Sequence, residues 1–148
     1  MIRVGGLVVT MALVLLVGGC GGSSSSGLTK QQWIAKADGI CKDAKTQIAA
    51  IPAPTSITGL VSEGQKALVI TQNEFAQLRG LAAPSADAAT IKTMLDTAAQ
   101  EIPATVGLIA IAKTGDMTKI QQYEASKQPI IDKAKQLAKS YGLTVCGG

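Results

Sequence analysis

Residues 28–41, LTKQQWIAKADGIC, decide the fold. Thr29 is placed to cap a helix with its side-chain oxygen, and Gln32, three residues on, completes a capping box. Leu28 and Trp33 flank that box as a hydrophobic staple. Apolar residues then recur at Trp33, Ala37, Ile40, Cys41, Ala44, Ile48 and Ile51, which is one face of a 3.6-residue repeat. The run IPAP at 51–54 ends the helix, because each proline removes a donor and restricts the residue before it.

The same pattern continues down the chain. A second amphipathic run from about Ser56 to Arg79 carries Ile57, Leu60, Val61, Gly64, Ala67, Leu68, Thr71, Phe75 and Leu78, with Gly80 expected at the left-handed position beyond it. Pro84 punctuates, and Ser85 is positioned to cap a third helix with Ala88, Ile91, Met94, Leu95, Ala98 and Ile102 on its inner face. Pro103 should kink or split that helix. Asp116 caps a fourth, whose core residues are Ile120, Tyr123, Ile130, Ala134, Leu137 and Tyr141, with a bend expected at Pro129. Gly142 suits a left-handed stop, and Leu143 can fold back on the last turn. Four long helices on short loops predict an all-α fold, an antiparallel four-helix bundle over residues 29–148.

Composition agrees. The chain has 148 residues, room for one domain, with one Trp, one Phe and two Tyr. Small side chains therefore have to pack the helices. The net charge is +4, or +3 from Cys20 onward, and the charges are interspersed without basic blocks, which argues against a nucleic-acid partner. No histidine occurs. His-based triads, imidazole proton shuttles and imidazole metal sites are thereby excluded. No phosphate loop, dinucleotide turn, GxSxG elbow or calcium loop is present. Glu63, Glu74, Glu101 and Glu124 all sit among polar neighbours and read as solvated helix faces, so no catalytic residue, metal ligand or cofactor is expected and the chain reads as a non-enzyme.

The first residues carry an address. MIR is followed by the apolar run VGGLVVTMALVLLV (4–17), which has signal-peptide length, and then by VGGC at 17–20. VGGC resembles the lipobox of bacterial lipoproteins, with Val17 in place of the commoner leucine. The resemblance implies a signal peptide over 1–19, diacylglycerol on Cys20, and a lipid-anchored domain on the extracytoplasmic face of the cell membrane. The segment 20–28, with its GGSSSSG run, reads as a flexible tether. Once Cys20 carries lipid, Cys41 and Cys146 remain, and two thiols left in a small extracytoplasmic domain make a disulfide. The last helix of an antiparallel bundle ends near the start of the first, so the tail beyond Gly142 can reach Cys41. A redox-active pair is the lesser reading, since no CxxC motif tunes either thiol.

LTKQQWIAKADGICKDA near the start and SYGLTVCGG at the end further resemble a group of small secreted or lipid-anchored actinobacterial helical proteins of unknown function, which share an aromatic followed by A…IC and a terminal GL-x-V-C-G. That resemblance supports the bridge and supplies no activity.

One internal stretch stands out. IPATVGLIAIA at 102–112 has no charge over eleven residues. It reads first as a deeply buried half-helix. The sharper reading is an apolar binding surface at Val106, Leu108, Ile109 and Ile111, opened where Pro103 and Gly107 loosen the helix. Two functions follow as expectations: a lipid-anchored envelope protein that binds or contacts an envelope protein, or a carrier or sensor holding a small apolar ligand between its helices.

Overall fold

Thr29 starts the first helix as its side chain dictates. Its hydroxyl accepts from the Gln32 backbone N–H at 3.2 Å, and the Gln32 side chain returns the bond to the Thr29 N–H at 3.0 Å. The computed structural model describes residues 27–148; the expected leader at 1–19, the lipidation site Cys20 and the tether as far as Ser26 lie outside the described residues. Five helices follow in order: α1 Lys30–Ala49, α2 Ile57–Gly80, α3 Ala88–Ala98, α4 Glu101–Ala112 and α5 Met117–Tyr141. The consecutive pair α3 and α4 together form the third arm of an antiparallel four-helix bundle. No strand occurs among the described residues, and no helix there is long and apolar enough to cross a membrane.

The third arm divides at Ala99–Gln100, just ahead of Pro103. Pro103 then falls in the first turn of α4, where its missing N–H costs no helical bond. Pro129 lies inside α5, which runs on through it. Two expected boundary signals are corrected. Gly80 stays helical and does not take the left-handed conformation, and the chain leaves α2 through extended Leu81. Ser85 does not cap α3, because Asp87 precedes it and spends its carboxylate on the Tyr141 hydroxyl at 2.9 Å.

The end of α5 follows its sequence closely. Gly142 adopts φ 111°, and the Gly142 and Leu143 N–H groups bond back to Lys139 and Ala138 at 3.0 Å each. This is a Schellman stop, and it drives Leu143 into the core. The core itself gathers Trp33, Ala37, Phe75, Leu78, Ile91, Met94, Leu95, Ala138 and Tyr141, with Leu28 packed against it. Trp33 is fully buried and meets Tyr141 edge-to-face with ring centroids 5.6 Å apart.

The bundle is closed by its own tail. Beyond Gly142 the chain turns back along α1 and is held by the Cys41–Cys146 disulfide, with Cα atoms 5.3 Å apart. Asp38, one turn before Cys41, accepts from the Thr144, Val145 and Cys146 N–H groups at 2.9, 2.9 and 3.1 Å and from the Thr144 hydroxyl at 2.8 Å. Burial would raise the Asp38 pKa, but these donors outweigh it and hold the carboxyl below its usual range.

Candidate functional site

Helix spacing and the returning tail together leave a pocket that is partly open to solvent. A cavity of about 260 Å³ opens there, with walls from α1, α2, α3, α4, α5 and the tail. Its apolar surface comes from Trp33, Phe75, Leu78, Met94, Leu95 and Ile131. The tail contributes Leu143 and Cys146, so the disulfide staples one wall in place.

Besides Thr71 and two lysines at the rim, two carboxylates and an indole N–H break that apolar lining. Glu74 on α2 and Glu101 in the first turn of α4 both line the cavity and are half-buried. The solvated-face expectation for these two glutamates is therefore corrected: the α1, α3 and α5 walls shield them from water. Neither carboxylate has an ion-pair or hydrogen-bond partner among the described residues. Burial, and then the charge of Glu101, push the Glu74 pKa up to about 7 against a smaller opposing pull from Lys45. Burial likewise raises Glu101, against the opposing charge of Lys135. The third feature is the indole of Trp33, whose buried Nε1–H finds no acceptor among the protein groups.

The two lysines of the cavity rim are differently placed. Lys45 donates to the Val145 carbonyl at 2.6 Å and to the Gly148 oxygen at 3.3 Å, which commits it to fixing the tail. Lys135 projects from α5. Among the described residues no group of three or more Cys, Asp or Glu side chains is arranged as a metal site.

The apolar stretch of α4 is divided between environments. Ile109 is 8% exposed and packs on α2, where a methyl group at Gly64 would stand 3.2 Å from its Cγ1. Val106 is 48% exposed. Leu108 and Ile111 are half-buried, and Leu108 lines a second hollow of about 370 Å³ between α4 and α5. That hollow shares Glu101 and Ile131 with the central cavity. Gly107 does not loosen α4; it receives the Tyr123 side chain, whose hydroxyl occupies the space a Cβ would need.

The signals that sequence reasoning missed were the positions of Glu74 and Glu101 within the repeat. Glu74 lies three residues after Thr71 and four before Leu78, on the edge of the inward stripe. Glu101 stands three after Ala98, likewise beside the inward face, and opens α4. No family model matches the chain, and no similar curated protein or solved structure was found.

Proposed function

We propose that this protein is a non-enzymatic binding protein of the cell envelope, tethered through lipid on Cys20, that carries or senses a small amphipathic ligand between its helices. One observation carries the binding part of that reading. A largely apolar cavity is bordered by the buried Trp33 indole, whose N–H has no acceptor, and by two half-buried carboxylates, Glu74 and Glu101, that make no ion pair. Buried polar groups are almost always satisfied, since an unmade bond costs about 1–3 kcal/mol. A cavity that joins one such exception, the Trp33 N–H, to two unpaired carboxylates is a site where a ligand would supply the missing partners.

Size fits a small molecule. A 150 Å³ apolar cavity admits benzene, so this one suits roughly ten non-hydrogen atoms. The lipoprotein reading rests on the VGGC motif and the tether composition, and the Cys41–Cys146 bridge is consistent with an oxidising compartment. A protein-contact role has a lesser support in the exposed Val69 and Val106 side chains.

The test uses the sole tryptophan as reporter. The full, oxidised chain labelled with nitrogen-15 is titrated with p-xylene while the Trp33 indole N–H resonance is followed. The expected result is a saturable shift at Trp33 together with the amides around Leu78 and Met94, and none near Val69 or Val106. Shifts confined to the exposed valines would favour a contact surface, and silence everywhere would overturn the cavity reading.

A further inference from the structure

Glu74 and Glu101 come from different helices, α2 and α4, and reach the same cavity. Each is half-buried without an ion pair, although Lys45 and Lys135 stand on the same walls. Lys45 is turned to the tail carbonyls. The cavity is therefore an apolar chamber whose unmet demand is for a cation and for hydrogen-bond donors. Carboxylates removed from water attract an opposite charge more strongly than exposed ones do. A ligand acid would add a third negative group to the same space. A neutral ligand would leave the two carboxylates as they are.

We propose, resting on the reading of the cavity as a ligand site, that its ligand is a small organic amine. The ammonium group is held by Glu74 and Glu101, and the apolar body lies against Phe75, Leu78, Met94 and Leu95. An ammonium carries three donors and one charge, which suits two acceptor-only carboxylates. The apolar body removes surface from water on the other side of the chamber. A hydroxyl or carbonyl oxygen on that body would meet the Trp33 N–H. No bond is made or broken, so nothing beyond the amine itself is required.

Binding is then coupled to protons. The charged groups that act on Glu74 are Glu101 on α4 and Lys45 on α1, while Lys135 on α5 shares the cavity and acts on Glu101. With its pKa pushed up to about 7, Glu74 has to release a proton before it holds an ammonium. Amine affinity should accordingly rise between pH 6 and pH 8, by up to about tenfold per pH unit at the acid end.

The experiment compares three probes of similar size on the full, oxidised chain: 2-phenylethylamine, 2-phenylethanol and 3-phenylpropionate. Trp33 fluorescence gives the affinity at pH 6 and pH 8. The expected result at pH 8 is an amine bound about tenfold or more tighter than the alcohol, as charged hydrogen bonds imply, with the acid weakest. That preference should shrink in Glu74→Gln and again in Glu101→Gln, both checked for helical content; each removes a half-buried charge, so folding should survive. Equal binding of amine and alcohol, or tightest binding of the acid, would overturn the amine assignment while leaving the cavity a ligand site. If no probe perturbs Trp33, the amine assignment and the cavity reading fall together.

Discussion

Glu74→Gln offers a sharp test because its effect depends on pH in a direction that ordinary packing changes do not share. Glu74 has its pKa pushed to about 7 in the fold, against 4.5 for a free glutamate. Between those values the folded chain binds a proton that the unfolded chain releases, so stability falls as pH rises from about 4.5 through 7. The difference of about 2.5 units, at about 1.36 kcal/mol each, sets an upper limit of about 3.4 kcal/mol. Partial solvent access brings the expectation down to about 1–3 kcal/mol. Gln keeps the size of the protonated acid and cannot ionise. The variant should match the parent near pH 4.5 and exceed its stability by that amount at pH 8. Urea unfolding at four pH values, followed by Trp33 fluorescence and circular dichroism, reads both numbers. Because Glu101 is raised for the same reason, the slope should shrink in the single variant and vanish only when both are changed. Asp38 acts in the opposite sense and below about pH 4, so the two windows separate. A variant destabilised equally at every pH, or one that keeps the parental slope, would refute the burial of a strained carboxylate at this wall.

Three further outcomes follow from the tail and the third arm. Replacing both Cys41 and Cys146 by Ser should lower stability by about 4–5 kcal/mol in the chain-entropy model, read by denaturant unfolding, and should increase amide exchange at 143–146. Asp38→Asn weakens the four bonds that hold the tail, costing about 1.5–3 kcal/mol at pH 7. The depressed Asp38 pKa places its contribution above the unfolded value and removes it as pH falls through the folded one, so the difference from the parent should narrow at pH 3. Gly107→Ala should cost about 1–3 kcal/mol by expelling Tyr123, yet stabilise by up to about 1 kcal/mol when made in a Tyr123→Ala background, where only helix propensity remains; a thermal-melt double-mutant cycle distinguishes the two.

The fold was legible where local chemistry and periodicity agreed. Thr29 and Asp116 each cap the helix they precede, and Gly142 stops α5 in the left-handed conformation. Prolines were harder to read, because a proline's effect depends on which turn it occupies. Pro103 starts a helix, Pro129 is absorbed within one, and the sequence around each is compatible with either outcome. Asp87 stands in the place expected of Ser85 but makes no side-chain cap bond, its carboxylate accepting instead from the Tyr141 hydroxyl fifty-four residues away. The site was the least legible part. A glutamate on the flank of an amphipathic stripe is solvated or shielded according to what packs beside it, and the pocket that Glu74 and Glu101 line is walled by α1, α3, α5 and a tail that the disulfide, Asp38 and Lys45 hold in place. Likewise 102–112 has no polar face to orient it, so whether Val106 or Ile109 meets the core was set by the neighbouring Gly64 and Tyr123.

The proposed function is that of a lipid-tethered, disulfide-closed bundle that carries a small molecule in the pocket between its helices. Native mass spectrometry of the protein extracted from its own membranes addresses it most directly. The predicted species begins at Cys20, bears acyl chains, resists alkylation at Cys41 and Cys146 until reduced, and releases a small basic compound on denaturation. A chain that keeps residues 1–19 without lipid, or an acylated chain that carries no small molecule and takes none up from added amines, would contradict it.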